Sequence, residues 1–563
     1  MLKFVFRLIV RLIALPFRWL ARILDGITSG PALVLDLEIE QDPSSIERQK
    51  MLDVLRGASG DDRVVGVLLR IRTPLGGWAT AQDLGTVIHE LREAGKPVYA
   101  YVEQAGNGTA WLAAQCTRAF ILPTGEVSLV GMGAEMMFYG AALKKLGVEP
   151  DFEAAGEYKS FGEAYLRSFP SGANQEATQR LLESLHAQLV DGVAVGRKIP
   201  EDQVSAAMRK GPMSAQDALD CGLVDQLAYE DQLEDWIEEQ HGDKASLVPF
   251  GRWSFWYRLR RWLRGLGDGR KFIGVLHLEG PIVMETSNSP QYVNARKVVS
   301  LIRRLKEMKQ LTALVVNVNS PGGSAVASDI MWREIDLLRR EKTVVAVFDD
   351  VAASGGYYLA APCAEIVARK GTLTGSIGVF GGKLVLGGGL GKLGVHSHAF
   401  ESEPHANFFS ATRKFSDQQR VCFRASLQRF YDGFVQRVAA GRRRPVEEVE
   451  VHCRGRVWTG ADAIERGLVD HLGDLELGIE RARVLAGVHA GDFKRMDIPV
   501  ERRRLFMKKL RGRLGPLGEL VSPIPRTLVD GLPGLQPLMQ FLGVARQNEG
   551  QPLAMLPFHL DVR

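Results

Sequence analysis

The sequence has few cysteines, five among 563 residues, and no Cys-X-X-Cys pair. Small secreted domains held by disulfides carry many more, so a disulfide framework is excluded. The sequence also lacks the composition of a disordered chain, because 45% of its residues are hydrophobic and 24% are charged. At roughly 150 residues per domain, the length suggests about three or four structural units.

A long uncharged apolar run is missing from residues 1–24, which carry five basic side chains at near-helical spacing. A spanning helix needs about 20 mostly apolar residues. The basic residues fall on one face of a helical wheel, which predicts an amphipathic helix lying in the membrane surface. The competing interpretation is a helix packed on its own domain. The interspersed charges disfavour a cleaved signal peptide.

The net charge of +5 is unevenly distributed. Segments 1–30, 252–270 and 501–515 carry net charges of +4, +5 and +6, which leaves about −10 on the remainder. The stretch Trp253–Arg264 mixes Trp and Tyr with Arg, as is typical of the membrane headgroup region. An acidic body with small basic elements indicates a membrane surface as a partner and disfavours nucleic acid.

The sequence repeats itself at an offset near 241–247 residues. Val65–Pro74 matches Thr312–Pro321, each followed by a Gly-Gly pair, and Gly222–Asp225 matches Gly467–Asp470. The predicted organisation is a basic amphipathic segment at 1–29, an N-terminal repeat at 30–245, a Trp/Arg-rich linker at 246–270, a C-terminal repeat at 271–500 and a basic, then Pro/Gly-containing tail at 501–563.

Each repeat has an α/β pattern. Short β-branched runs such as Thr312–Val318 and Thr343–Phe348 predict buried strands. Longer amphipathic stretches such as Gln175–Val190 and Ser416–Arg437 predict helices. This alternation favours a parallel or mixed sheet with crossover connections.

Three Gly/Ser motifs follow predicted strands of the second repeat: Asn319–Ser324 (NSPGGS), Ala353–Tyr358 (ASGGYY) and Thr374–Val379 (TGSIGV). Paired glycines let backbone N–H groups approach a ligand oxygen closely. A serine at a strand-to-helix turn is exposed beside a free backbone N–H. Each motif alone is more often a turn or a helix cap. It is the order and spacing of the three motifs together that indicate a functional site.

These motifs, with Gly455–Asp474, resemble those of the signal peptide peptidase A (protease IV) family in its long, tandem-repeat form. The resemblance covers nearly all of residues 30–480. It implies an α/β fold made of two ClpP/crotonase-like domains, a serine peptidase activity without metal or cofactor, and apolar peptides such as residual signal peptides as substrates. It also implies association with the inner membrane of a bacterium and a homo-oligomer, with a tetramer as one form.

The resemblance further implies the roles of five residues. Ser354 takes the nucleophile position, and Lys159, in a Tyr-Lys-Ser context of the first repeat, takes the position of the base. Ser376 takes the position of the serine that hydrogen-bonds the lysine. The resemblance implies that the backbone N–H groups of Gly323 and Gly355 form the oxyanion hole.

The duplication supports a site to which each repeat contributes different residues. Ser354 aligns with Asn107, Ser376 aligns near Leu129 or Val130, and Lys159 aligns near Ala406. Each repeat therefore retains only part of one site, and we expect a composite site to which both repeats contribute.

A serine hydroxyl needs a base in hydrogen-bond contact, and an exposed lysine is protonated at neutral pH. Burial disfavours the ammonium, so a buried Lys159 would accept the proton of Ser354. Two other interpretations stay open at this point: a non-catalytic membrane scaffold of the same fold, and a crotonase-like enzyme acting on acyl thioesters.

Overall fold

The computed structural model describes residues 32–500 except 41–42, 74, 76, 243–244, 266–269 and 286–291, together with the backbone of Leu553–Met555. The basic segments at 1–29 and 501–515 lie outside the described residues. The chain divides into two compact units. The first contains the chain up to Gly133 and Leu182–Arg270, and the second contains Ala134–Leu181 and the chain from Lys271 to Leu560. Residues 134–181 thus come from the first repeat and belong to the second unit.

The strands are β1 Leu33–Ile39, β2 Val64–Ile71, β3 Val98–Gly106, β4 Arg118–Ser128, β5 Glu149–Ala155, β6 Met213–Ser214, β7 Gln226–Leu227, β8 Ser246–Pro249, β9 Lys271–Glu279, β10 Ile282–Val283, β11 Val293–Asn294, β12 Leu311–Ser320, β13 Gly322–Ser324, β14 Thr343–Ala353, β15 Glu365–Ala368, β16 Leu373–Gly375, β17 Val379–Val385, β18 Val457–Thr459, β19 His471–Leu472, β20 Phe493–Ile498 and β21 Leu553–Met555.

The helices are α1 Ser45–Ser59, α2 Trp78–Glu93, α3 Asn107–Gln115, α4 Gly140–Leu146, α5 Glu163–Leu166, α6 Gly172–Arg197, α7 Glu201–Arg209, α8 Ala215–Asp220, α9 Gln232–His241, α10 Phe250–Gly265, α11 Ala295–Lys306, α12 Ala325–Arg339, α13 Gly355–Ala360, α14 Gly387–Lys392, α15 Asp417–Arg442, α16 Val446–Glu450, α17 Gly460–Glu465 and α18 Leu475–Leu485.

The first unit is built on a sheet of order β6-β4-β3-β2-β1-β8, with β7 paired to β4. β1, β2, β3, β4 and β8 are parallel, and β6 pairs antiparallel with β4. Strands β2 and β3 are mostly apolar and buried, as expected where helices cover both faces of a parallel sheet. The predicted linker is part of this unit, since Ser246–Pro249 forms β8 and the Trp/Arg-rich stretch forms α10.

The main sheet of the second unit has the corresponding order β18-β16-β14-β12-β9-β20. Off this path, β15 pairs with β14, and β19 pairs with β15. Each sheet ends in a short antiparallel strand, β6 in the first unit and β18 in the second. The predicted tandem duplication of an α/β domain is therefore confirmed at the level of topology. The predicted strands at 312–318 and 343–348 lie within β12 and β14.

The two predicted helices are also present. Gln175–Val190 lies within α6, and α15 covers the helix predicted from Ser416. Ser416 caps α15 in a reciprocal arrangement with Gln419, which satisfies two backbone N–H groups at the helix start. Among the described residues, no helix has both the length and the hydropathy to cross a membrane.

A second sheet of the second unit has the order β11-β10-β13-β21-β17-β5. Its strand β5 comes from the first repeat and pairs antiparallel with β17 of the second repeat over seven residue pairs, from Glu149↔Val385 to Ala155↔Val379. This pairing holds the segment that follows β5, which contains Lys159, inside the second unit.

Candidate active site

Ser354 stands at the turn between β14 and α13, as the sequence predicts for this motif. The prediction that the serine is exposed is wrong, because the residue is fully buried. Its backbone has φ 54° and ψ −114°, a conformation that costs a non-glycine residue about 1–3 kcal/mol. Its N–H donates to the Gly375 carbonyl at 2.8 Å, which helps to hold the strained turn. Such strain is typical of a residue whose side chain must point in one fixed direction.

The start of α13 packs tightly against the end of β12. A side chain at Gly356 would place its Cβ 2.7 Å from the Ser320 carbonyl oxygen, so glycine is required there. The following Tyr357 is fully buried, and its hydroxyl donates to the Leu468 carbonyl at 2.7 Å. These contacts fix the helix start and, with it, the position of Ser354.

Lys159 is the central residue of an inverse γ-turn, with φ −79° and ψ 68° and a Ser160 N–H···O=C Tyr158 bond of 2.9 Å. Its side chain is 3% exposed. Its Nζ lies 2.8 Å from the Oγ of Ser354, and 2.9 Å from both the carbonyl oxygen and the Oγ of Ser376. The structure thus brings together Lys159, Ser354 and Ser376, all within the second unit.

The electrostatics favour an uncharged amine. Burial holds the pKa of Lys159 well below its usual range, because an ammonium loses its hydration inside the protein. Glu157, the acidic residue two positions before Lys159, is exposed to solvent.

The three contacts of Nζ also match the hydrogen-bonding capacity of a neutral amine. Such an amine has two N–H donors and one lone pair. The donors can serve the carbonyl oxygen and the Oγ of Ser376, while the lone pair accepts the hydroxyl proton of Ser354. The arrangement is that of a base in contact with a nucleophile.

Ser376 also has a left-handed backbone, with φ 50°. Its N–H donates to the carbonyl of Arg456 at 2.6 Å, and its side chain is fully buried. Because both its carbonyl and its hydroxyl contact Lys159, Ser376 fixes the direction of the amine.

The two predicted oxyanion donors lie on neighbouring elements. Gly323 is the middle residue of β13, with φ 156°, and a side chain there would collide with the carbonyl oxygen of Ile282. Gly355 is the first residue of α13 and directly follows Ser354. The N–H groups of a helix's first turn have no acceptor within the helix, so such a group is suited to bind a negatively charged oxygen.

The segment Arg454–Arg456 was assigned no role from the sequence. The Tyr158 N–H donates to the Arg454 carbonyl at 2.7 Å, the Gly455 N–H to the Ile377 carbonyl at 2.7 Å, and the Arg456 carbonyl accepts from Ser376. This segment therefore joins the lysine turn to the Ser376 turn. The signal in the sequence was Gly455, at the start of the Gly455–Asp474 motif, whose φ of 82° requires a glycine.

The first unit carries other side chains at the aligned positions. Asn107, aligned with Ser354, is buried; its amide donates to the Gly131 carbonyl at 2.9 Å and accepts from the N–H groups of Val130 and Gly131. Leu129 is buried beside them. In the second unit, Ala406, aligned near Lys159, lies exposed in a turn. Asn107 is thus a structural side chain.

Among the described residues, no group of three His, Cys, Asp or Glu side chains is arranged to hold a metal ion. All five cysteines are free thiols, and three of them are buried.

Comparison with known proteins decides the family. The model of Peptidase family S49 matches residues 90–244 and 336–489, one match in each repeat. The chain belongs to peptidase family S49. Two relatives are "Serine protease SPPA, chloroplastic" of Arabidopsis thaliana and "Protease 4" of Salmonella typhi, each 32% identical over 77% of this chain. The chain covers 64% of the first relative's length and 71% of the second's.

Solved structures with some likeness include ClpP1 from Listeria monocytogenes, at 14% identity over 36% of this chain and 91% of that one, with a TM-score of 0.23. Another is an enoyl-CoA hydratase/isomerase family protein from Silicibacter pomeroyi, at 18% identity over 42% of this chain and 88% of that one, with a TM-score of 0.24. The predicted family is confirmed by the S49 match. The family and its members' names support a serine peptidase.

Proposed function

We propose that the protein is a serine endopeptidase with a Ser-Lys dyad, in which Ser354 is the nucleophile and neutral Lys159 is the general base. The single observation that carries this proposal is the 2.8 Å contact between Ser354 Oγ and Lys159 Nζ in a buried site. Ser376 orients the amine through two further contacts. Membership in family S49 favours the peptidase over an acyl-thioester enzyme.

In the first step, Ser354 Oγ attacks the substrate carbonyl carbon while its proton passes to Lys159 Nζ. The carbonyl oxygen becomes an oxyanion, which the N–H groups of Gly323 and Gly355 stabilise. Each such donor typically contributes a factor of about 10² to 10³ in rate. Lys159 then returns the proton to the leaving amide nitrogen as the C–N bond breaks, which leaves an acyl-enzyme.

In the second step, water attacks the acyl carbon and gives its proton to Lys159. The ester bond to Ser354 breaks, and the proton returns to Ser354 Oγ. The cycle needs an amine that alternates between neutral and charged forms. A depressed pKa brings these two forms closer in energy near neutral pH.

Apolar peptides, such as signal peptides left after secretion, are the substrate class we propose. An apolar cluster of the second unit contains Phe152, Phe161, Tyr165, Val283 and Phe380. Phe380 is the second residue of β17, which begins three positions after Ser376. All five side chains are buried. We propose that substrate side chains meet this cluster, which would favour apolar ones over charged ones.

Helix α10 supports membrane association. Trp253 is buried and stacks on Tyr257 with ring centroids 5.2 Å apart. On the same helix, Phe255 and Trp256 are 61% and 46% exposed, and Arg258 is also exposed. One face is therefore packed on its own unit, and another presents aromatic and cationic side chains. This combination fits an anionic membrane surface.

Vesicle co-sedimentation tests this part of the proposal. The double variant Phe255→Ser/Trp256→Ser should bind phosphatidylglycerol vesicles several-fold more weakly than the parent chain. Phe169→Ser, at an aromatic residue that is 68% exposed elsewhere, is the matched control and should bind normally. Equal binding by all three proteins would remove α10 from the membrane contact.

Self-association into a homo-oligomer, a tetramer in the form that the resemblance implies, is also proposed. The second unit exposes Leu146, Leu393 and Phe400, which are 65%, 79% and 88% accessible. We propose that these residues contribute to one apolar contact surface, since contiguous exposed apolar patches mark such surfaces. Light scattering of Phe400→Glu should report a smaller assembly than the parent chain, and an unchanged mass would exclude this surface.

The dyad is tested with a fluorophosphonate probe and a fluorogenic apolar peptide. Ser354→Ala should lose both labelling and hydrolysis, and Lys159→Ala should lose at least about 10³-fold in kcat, while circular dichroism shows a retained fold. The double variant should be no worse than either single one, because the two residues act as a unit. A parent protein that is neither labelled at Ser354 nor active would favour the non-catalytic scaffold.

A further inference from the structure

Tyr158, the first residue of the Tyr-Lys-Ser string, has no part in the steps described above, but it directly precedes Lys159. Lys159 lies in an inverse γ-turn between β5 and α5. The sheet pairing of this segment ends at Ala155, four positions earlier. The direction of the lysine side chain therefore depends on the contacts that the turn itself makes, and Tyr158 supplies some of them.

The side chain of Tyr158 contacts an ion pair. The guanidinium of Arg456 lies over the Tyr158 ring, with its Cζ 4.8 Å from the ring centroid. Arg456 Nη1 donates to Glu176 Oε1 at 2.7 Å, and the Tyr158 hydroxyl donates to Glu176 Oε2 at 3.2 Å. These three residues form a side-chain triangle in which each member contacts the other two. Glu176 lies in the part of α6 that belongs to the second unit.

Arg456 connects the side-chain triangle to the turn of Ser376. Its backbone carbonyl accepts the Ser376 N–H at 2.6 Å. Its guanidinium also lies over the ring of Trp458, with its Cζ 4.4 Å from the centroid. Trp458 is paired with Thr374 of β16, the strand that ends immediately before Ser376. The same arginine therefore contacts the lysine turn through its side chain and the Ser376 turn through its backbone.

The ion pair between Glu176 and Arg456 is better suited to orient its neighbours than to stabilise the fold. The two side chains are 58% and 15% exposed. Ion pairs with an exposed partner typically add little to the free energy of unfolding. Among the described residues, Glu176 is the one carboxylate that pairs with Arg456. Without it, the guanidinium keeps only its contacts with two rings and is free to move away from Tyr158.

We propose that Tyr158, Glu176 and Arg456 are positioning residues of the active site. The side-chain triangle holds the turn of the general base against the turn of Ser376, and so directs the base at the nucleophile. This inference rests on the proposed peptidase function. Because the triangle acts through Lys159 and touches none of the reacting atoms, its loss should slow the chemical step and leave substrate binding unchanged.

Glu176→Gln tests the proposal with little change in shape, since the amide removes only the charge. Its kcat for a fluorogenic apolar peptide should fall about ten-fold, because a small misplacement of a base is costly, while KM stays within about two-fold of the parent's. The matched control is Glu480→Gln. Glu480 pairs with Arg483 in α18, and their side chains are 52% and 18% exposed. The control should keep the parent's kcat, and both variants should keep the parent's melting temperature.

The pH profile separates positioning from a general effect on the fold. A loosened turn admits water to Lys159 Nζ, which favours the ammonium, so the rise of kcat/KM in Glu176→Gln should move up by about half a pH unit or more. Arg456→Met keeps the backbone carbonyl for Ser376 and should shift the profile in the same direction. Arg456→Lys keeps a cation beside the Tyr158 ring and should fall between Arg456→Met and the parent. The double variant Glu176→Gln/Arg456→Met should be no slower than Arg456→Met, since both changes break one contact.

Competitive acetylation with acetic anhydride gives a readout that needs no turnover. Every protein in this comparison carries Ser354→Ala, and mass spectrometry follows the reaction of Lys159 as the pH is raised. Because only a neutral amine reacts, Glu176→Gln and Arg456→Met should reach half-maximal reaction at a higher pH than the parent, and Glu480→Gln should match it. Equal profiles in all four proteins would overturn the positioning role. A parent without activity would refute the peptidase function, while the acetylation profiles would still decide the role of the triangle.

Discussion

A methyl group on Gly455 would lie 2.5 Å from the backbone nitrogen of Lys159 and 2.7 Å from its Cβ. Gly455→Ala should therefore push the lysine turn away from Ser354. The φ of 82° at Gly455 adds strain for any side chain. Because a displacement of about 1 Å can cost a factor of about 10² in rate, we expect kcat for peptide hydrolysis to fall by that factor or more.

The matched control is Gly391→Ala. An added methyl group there meets nothing within 4 Å, and the residue has no positive φ. It should keep the parent's kcat, and both variants should show the parent's circular dichroism spectrum. A Gly455→Ala enzyme with parental kcat would show that the contact with Gly455 does not position Lys159.

The pH dependence of hydrolysis should follow the neutral form of Lys159. Because burial holds its pKa well below 10.5, log kcat/KM should rise with a slope of one and level off well below pH 10.5. Lys159→Arg should be inactive at every pH, since a guanidinium stays protonated. A profile that keeps rising up to pH 10.5 would indicate an ordinary, solvated lysine.

Lys159 should also affect how the free energy of unfolding depends on pH. With the folded pKa below the unfolded value, the unfolded chain binds more protons between the two, so the free energy of unfolding rises with pH in that window. The loss of stability that comes from burying Lys159 is complete below the folded pKa. It vanishes above the unfolded pKa of about 10.4. Its slope is at most about 1.4 kcal/mol per pH unit.

Urea unfolding between pH 6 and pH 10 measures this slope. Lys159→Met keeps an unbranched chain of similar length without a titrating group, so its free energy of unfolding should rise less steeply than that of the parent. Parallel curves for the two proteins would mean that Lys159 has the same pKa in the folded and unfolded states.

The strand–turn–helix around Ser354 was predictable from the sequence, because a β-branched run followed by Ser-Gly-Gly is a local signal. The partnership of Ser354 with Lys159, 195 residues apart, came only from the family resemblance. It depends on the register of β5 against β17, which no local pattern specifies. The strand Leu553–Met555 was missed for a related reason: three apolar residues become a strand only because two others flank them.

A last prediction concerns Asn107, which stands in the first unit at the position aligned with Ser354. Its Oδ1 accepts from the N–H groups of Val130 and Gly131 at 3.1 and 3.2 Å, and the side chain is 2% exposed. Asn107→Ala removes these bonds from the partly buried N–H groups, which should cost about 1 kcal/mol in the free energy of unfolding. Asn107→Asp keeps the acceptor and should lose the bond to the Gly131 carbonyl. Since Asn107 is no part of the Ser354 site, kcat of either folded variant should stay within about two-fold of the parent's; a large loss of kcat at full folding would give the first unit a role in the chemistry.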